Sequence, residues 1–213
     1  MPLRHVEFDD ADTIRNTQVR LLVALRKQTT ACTMQSRRLL SAAQTVKLTN
    51  AKQMLNTGEN IWMTRRTYDV NRVDCVYWEK IALNNTDYDF FNWYRKNPRA
   101  RDWTKQGPQQ KKEQLHAKLC YVGRWPTMKI RHYLEKESQA MPHRLLFWSS
   151  KEKCFILELP TGDCELHTWQ SMTWKTDVCY RVFFALCGAY NYPVFKKSCI
   201  DPKAICVGFR SQC

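Results

Sequence analysis

The segment from Cys164 to Trp169 contains the side chains of this sequence that are best suited to binding chemistry. If the segment is a β-strand, its two-residue period places Glu165, His167 and Trp169 on one face. A buried carboxylate such as Glu165 could replace the solvation that an ammonium group loses on leaving water, and aromatic faces could surround the cation. A protonated His167 beside the carboxylate would instead form an internal ion pair and favour an acidic ligand. The charge of a ligand therefore stays open at this point.

Motifs for catalysis are sparse in the rest of the sequence. It has five histidines, and no nucleophile elbow, metal-ligand spacing or pair of carboxylates at strand ends stands out. We therefore expect a binding protein and not an enzyme, with no catalytic residue, no metal site and no cofactor.

The cysteines give the strongest compositional signal, since eight of the ten lie from Cys120 onward. No two of them have the Cys-x-x-Cys spacing of zinc ribbons or thiol–disulfide motifs, which favours disulfides over metal ligands. Disulfides persist in oxidising compartments, so we expect a secreted protein.

The amino end does not match that expectation of export. The first 30 residues are polar apart from the short apolar run Leu21 to Leu25, so no signal peptide is recognisable. This pattern indicates an atypical amino end or a true start elsewhere. No apolar run of about 18 residues is present either, so no membrane span is expected.

Short segments rich in β-branched and aromatic residues follow a turn signal at Asn56-Thr57-Gly58. The polar links between them are short, which favours antiparallel neighbours over crossover helices. The candidate strands are Ile61 to Tyr68, Val73 to Leu83, Tyr88 to Tyr94, Leu115 to Val122, Met128 to Leu134, Leu145 to Ser149, Cys154 to Leu159 and Cys164 to Trp169. Eight such strands indicate a closed barrel.

An apolar stripe over Thr176 to Gly188 predicts one helix that packs on the barrel wall. The predicted fold class is therefore all-β with one carboxy-terminal helix. We expect an amino-terminal extension over residues 1–48, helical or disordered, then the barrel with its helix over residues 49–200, and a cysteine-containing tail over residues 201–213. We expect a monomer.

The sequence is strongly basic, with a formal net charge of +14. The segment Arg95 to Lys118 contains eight basic and two acidic residues. Such a segment is either a solvated loop or a contact for acidic glycans, lipids or nucleic acid. Candidate glycan contacts are Arg99, Arg101, Lys111 and Lys112. Trp103 is the only aromatic residue of the segment, so the aromatic and basic alternation of a single-strand nucleic-acid binder is absent.

Several short strings occur in one order along the chain. They are Glu59-Asn60-Ile61-Trp62-Met63, Arg66-Thr67-Tyr68, Cys75-Val76-Tyr77, Asn84-Asn85-Thr86-Asp87-Tyr88-Asp89-Phe90, Cys154-Phe155-Ile156-Leu157, Cys164-Glu165-Leu166, Cys179, Cys187-Gly188 and Cys199. Together they resemble the tick salivary lipocalins, the histamine-binding-protein family, over about Thr49 to Cys199. The resemblance implies a secreted, eight-stranded antiparallel lipocalin barrel with a carboxy-terminal helix, which sequesters a small host mediator.

The same resemblance implies which cysteines pair. It joins Cys75 to Cys199, Cys154 to Cys179, and Cys164 to Cys187. It assigns no partners to Cys32, Cys120, Cys206 and Cys213.

The resemblance also implies a ligand site. It turns the face of Glu165, His167 and Trp169 into the barrel, and Tyr68 matches a tyrosine of the amine site. The amine-binding members carry Trp at the place of His167. The implied ligand is therefore a biogenic amine such as histamine or serotonin, or an anionic lipid mediator such as a leukotriene or a fatty acid.

The string Asn84-Asn85-Thr86 is an N-glycosylation sequon. It falls on the polar link between the second and third candidate strands. We therefore expect a glycan on Asn84 in a secreted barrel.

Overall fold

The computed structural model describes residues 46–99 and 107–201. The predictions made for residues 1–45, for Arg101 and for residues 202–213 lie outside the described residues. This applies to Cys32, Cys206 and Cys213.

The described chain consists of two helices, nine strands and short 3₁₀ turns. The helices are α1 (Leu48–Leu55) and α2 (Asp177–Cys187). The strands are β1 (Ile61–Arg66), β2 (Val73–Leu83), β3 (Asp87–Lys96), β4 (Gln109–Val122), β5 (Trp125–His132), β6 (Met141–Ser149), β7 (Cys154–Glu158), β8 (Cys164–Trp169) and β9 (Tyr192–Pro193). No helix among the described residues is long and apolar enough to cross a membrane.

Strands β1 to β8 form a closed antiparallel barrel. Each strand from β2 to β7 pairs with the next one in sequence, and β1 closes the ring by pairing with both β8 and β2. Ile61 of β1 lies opposite Trp169 on one side and opposite Trp78 on the other. The predicted eight-stranded barrel of the lipocalin type is therefore confirmed. The short strand β9 pairs with Arg65 and Arg66 of β1, on the same side of β1 as β2 and beyond the end of the β1–β2 pairing.

Helix α1 covers one end of the barrel. Its buried residues Ala51, Met54 and Leu55 follow helical spacing and join the hydrophobic core inside the barrel. The Trp169 indole N–H donates a hydrogen bond of 2.9 Å to the Met54 carbonyl oxygen. The bond satisfies both polar groups, which would be costly to bury unpaired, and it fixes α1 over the end of β8.

The disulfides attach the carboxy-terminal part of the chain to the barrel wall. Cys154 pairs with Cys179 and Cys164 with Cys187, which holds α2 against β7 and β8. Cys75 pairs with Cys199 across 124 residues of sequence, with a Cα–Cα distance of 5.3 Å. The three pairings implied by the resemblance are therefore confirmed.

Cys120 is a free, half-buried thiol on β4. It lies opposite Thr127 of β5 in the strand register. The structure therefore pairs Cys120 with none of the cysteines among the described residues.

Some element boundaries differ from the prediction. Strand β1 ends at Arg66, so Tyr68 lies beyond it. Strand β4 begins at Gln109 and not at Leu115, because its polar first residues pair one by one with β3 up to Gln109 opposite Lys96. Ladder hydrogen bonds outweigh the low strand propensity of those residues. From Gln109 onward the basic segment is therefore a strand and not a loop. Strands β5 and β6 also begin several residues earlier than predicted.

Candidate ligand site inside the barrel

Strand β8 turns Glu165 and His167 into the barrel. The two-residue period predicted that they share a face, and the resemblance implied that this face points inward. Glu165 is 5% exposed and His167 is fully buried. Glu165 lies opposite Arg66 of β1 in the strand register, and His167 lies opposite Phe155 of β7. Two ionisable side chains are thus placed side by side where solvent is excluded.

Glu165 accepts hydrogen bonds on both carboxylate oxygens. The Tyr68 hydroxyl donates to Oε1, and His167 Nε2 donates to Oε2 at 3.0 Å. Burial alone would raise the pKa of Glu165, but the hydrogen bond and charge of His167, the charge of His143 and the Tyr68 hydroxyl outweigh it and lower the pKa to about 2. The barrel therefore holds an ionised carboxylate at neutral pH.

Tyr68 follows the end of β1 and is half-buried. Burial and the neighbouring Glu165 carboxylate raise its pKa well above the usual range. The Arg66 guanidinium lies 5.4 Å from the centre of the Tyr68 ring and donates to the carbonyl oxygens of Val70 and Val73. Tyr68 is thus a neutral hydrogen-bond donor, held between Arg66 and Glu165.

The His167 ring lies between two aromatic rings. Its centre is 4.3 Å from that of Trp78 and 5.0 Å from that of Phe155, which is almost parallel to it at 9°. His167 Nδ1 is buried and has no hydrogen-bond partner among the described residues. Phe90 and Tyr88 continue this aromatic lining beyond Trp78. The interior beside Glu165 therefore offers several aromatic faces and one unpaired ring nitrogen.

Trp169 also faces inward, but the structure places it at the end covered by α1. Its indole lies 6.1 Å from that of Trp148, and its N–H is bonded to Met54. Of the four site residues predicted from sequence, Glu165, His167 and Tyr68 are brought into direct contact. Trp169 forms part of the wall at a distance from the carboxylate.

Sequence reasoning missed Arg66 and His143. Arg66 is 4% exposed, and His143 is 9% exposed with its Nδ1 donating to the Met141 carbonyl oxygen at 3.0 Å. Both contribute charge around Glu165 or Tyr68. No short-range pattern identifies them, because they lie on strands far from β8 in sequence and meet it only when the barrel closes.

The sequon lies where the prediction places it. Asn84 is exposed in the turn between β2 and β3. Its side-chain oxygen accepts hydrogen bonds from the backbone N–H groups of Thr86 and Asp87 at 2.8 and 2.7 Å. The side-chain nitrogen, to which a glycan would be attached, is on the exposed side of a fixed turn. Glycosylation of Asn84 stays a prediction.

The three candidate glycan contacts among the described residues, Arg99, Lys111 and Lys112, do not lie on one surface. Lys111 and Lys112 are neighbours on β4, so their side chains leave opposite faces of the strand. Lys112 Nζ lies over the rings of Phe91 and Trp93, at 4.5 and 5.0 Å from their centres. Arg99 belongs to a separate cavity beyond the end of β3.

Comparison with known proteins supports the fold. No protein-family model matches the chain, and no curated protein matches it in sequence. Among solved structures, the chain is similar to Japanin from Rhipicephalus appendiculatus bound to cholesterol, with 11% identity, a TM-score of 0.51, and coverage of 68% of this chain and 97% of that chain.

A second similar structure is the AM182 serotonin complex, with 13% identity, a TM-score of 0.50, and coverage of 70% of this chain and 91% of that chain. At these identities the likeness concerns the fold. It agrees with the resemblance to the tick salivary lipocalins seen in the sequence strings.

Proposed function

We propose that this protein is a secreted carrier that holds one small organic mediator inside its barrel and does no chemistry on it. The two similar structures were solved with cholesterol and with serotonin, which are both small organic molecules. Secretion is supported by the disulfides that attach α2 and Cys199 to the barrel.

The ligand class that the interior supports best is a biogenic amine such as histamine or serotonin. The observation that carries this proposal is Glu165, a carboxylate that stays ionised while almost fully buried. A buried charge needs a partner of opposite charge. In the free barrel a protonated His167 can supply that partner at Oε2, and an ammonium group could take over this role while it replaces the Tyr68 hydroxyl at Oε1. The aromatic faces near His167 would then contact the rest of the amine.

A second candidate ligand is an anionic lipid mediator, such as a leukotriene or a fatty acid. Arg66 favours it, because this buried guanidinium lies beside the Tyr68 ring and its Nε has no hydrogen-bond partner among the described residues. A ligand carboxylate could pair with Arg66 while its apolar chain extends along the aromatic interior.

Calorimetric titration with histamine, serotonin and leukotriene B4 distinguishes the two candidates. The informative variant is Glu165→Gln, which removes the charge and keeps the size of the side chain. A matched control is Glu158→Gln, because Glu158 is on neighbouring β7 and pairs with Arg144 outside the network of Tyr68 and His167.

If the ligand is an amine, Glu165→Gln should weaken its binding by about 10- to 100-fold. This range corresponds to the loss of a charged hydrogen bond, which is worth about 1.5–3 kcal/mol. The same variant should leave leukotriene binding unchanged or tighter, and Glu158→Gln should change neither. Saturable leukotriene binding without any amine heat would reject the amine and support the lipid. No saturable heat with any of the three would reject both candidates.

A further inference from the structure

A small cavity lies at the end of the barrel away from α1, beside the ends of β3 and β4. Its volume is about 190 Å³. The lining residues are Arg72, Lys96, Asn97, Pro98, Arg99, Gly107 and Gln109. Three of these carry positive charge and none carries negative charge. The remaining polar groups are the two side-chain amides.

The cations of this cavity differ from their neighbours in having no acidic partner. Next to them, Arg95 and Lys196 both bind Asp74, at 2.8 and 3.0 Å. Among the described residues, no carboxylate lies within ion-pairing distance of Arg72, Lys96 or Arg99. Unpaired like charges around one concavity raise the local positive potential and attract anions.

Arg72 adopts an unusual backbone conformation at this site. Its φ of 63° is in the left-handed region, and its carbonyl oxygen accepts a hydrogen bond of 2.8 Å from the Asn97 N–H. An L-residue other than Gly, Asn or Asp in this conformation costs about 1–2 kcal/mol. Asparagine would fit the turn better, so the backbone gives no reason for arginine here. The turn therefore holds the Arg72 guanidinium at the cavity at a cost in backbone energy.

We propose that this cavity binds an acidic group of a sulfated glycan. The three cations would contact a sulfate, and the amides of Asn97 and Gln109 could hydrogen-bond sugar hydroxyls. Among the described residues no aromatic side chain lines the cavity for base stacking, which disfavours nucleic acid. Pro98 is the one apolar side chain in the described part of the lining, which disfavours a membrane surface. This surface is separate from the barrel interior and acts whether or not the barrel carries a ligand.

The test measures binding of a heparin octasaccharide to the full chain. The cavity variant combines Arg72→Asn, Lys96→Gln and Arg99→Gln. The control combines Lys151→Gln, Lys175→Gln and Arg181→Gln, three exposed cations that do not line the cavity. Both variants lower the net charge by the same amount, so they separate a local site from general electrostatic attraction.

The cavity variant should bind the octasaccharide at least 10-fold more weakly than wild type, while the control changes it by less than about 3-fold. For the cavity variant, the slope of log K against log salt concentration should be less steep than for wild type by about 2 to 3. The reason is that three fewer cations release counterions from the glycan on binding. Inorganic sulfate at millimolar concentration should compete only weakly, since it offers one group and no sugar.

Equal losses of octasaccharide affinity in the cavity variant and in the control variant would overturn the proposal. So would displacement of most of the octasaccharide by inorganic sulfate at millimolar concentration, which would identify a site for the free anion. Tighter binding of oligothymidylate or of phosphatidylserine vesicles than of the octasaccharide would also reject it. Arg72→Asn alone should keep or raise the melting temperature while weakening octasaccharide binding, so loss of binding cannot be ascribed to unfolding.

Discussion

The acid stability of the fold should depend on Glu165, and the substitution Glu165→Gln measures by how much. The carboxylate is held ionised by Tyr68 and His167, with its pKa lowered from 4.5 to about 2. A tenfold change in proton affinity corresponds to about 1.4 kcal/mol, so this lowering is worth about 3 kcal/mol of folding free energy at neutral pH.

The sign follows from the direction of the pKa change. Because the folded state has the lower pKa, the contribution of Glu165 is complete above about pH 4.5 and is lost as the pH falls towards 2. Urea unfolding from pH 7 to pH 2.5 should therefore show wild type losing stability more steeply than Glu165→Gln over that window. Glu158→Gln keeps the Glu165 network and should retain the steeper loss.

Parallel curves for wild type and Glu165→Gln between pH 5 and pH 2.5 would refute this reasoning. They would mean that the carboxylate has the same proton affinity in the folded and unfolded chains. The hydrogen bonds from Tyr68 and His167 would then not hold it ionised, and the amine proposal would lose its physical basis.

Further predictions concern the same barrel. Cys75→Ser with Cys199→Ser should lower the free energy of unfolding by about 4–5 kcal/mol, because the bond closes a loop of 124 residues, and an unchanged urea midpoint would contradict it. Tyr68→Phe should tighten amine binding several-fold in calorimetry, since the hydroxyl no longer competes for Glu165 Oε1; weaker binding would show that the hydroxyl contacts the ligand. Thr86→Ala should abolish glycosylation of protein secreted from a eukaryotic host, seen as a lower mass that glycosidase does not reduce further. A mass difference no larger than that of the substitution itself would disprove a glycan on Asn84.

The strands rich in apolar and aromatic residues were predictable, and those stabilised by pairing alone were not. Strands β2 and β8 have the bounds predicted for them, Val73–Leu83 and Cys164–Trp169, because most of their residues are apolar, aromatic or β-branched. The first residues of β4, Gln109 to Gln114, are polar and look like a loop. They are in a strand because β3 provides a partner for every one of them.

The candidate site was predictable only where it is local in sequence. The spacing of Glu165 and His167 on β8 sufficed to place them on one face. The Tyr68 contact came from a family resemblance, and Arg66 and His143 needed the closed barrel. The lowered pKa of Glu165 depends on contacts from several strands, so no local pattern could predict it.

Competitive native mass spectrometry tests the carrier claim most directly. Wild-type protein, Glu165→Gln and Glu158→Gln would each be mixed with equimolar serotonin, histamine and leukotriene B4. The carrier account with an amine ligand predicts one bound amine per chain in wild type and in Glu158→Gln, and its loss in Glu165→Gln. A protein that retains no small molecule, or that retains the same amine in all three forms, would contradict the account.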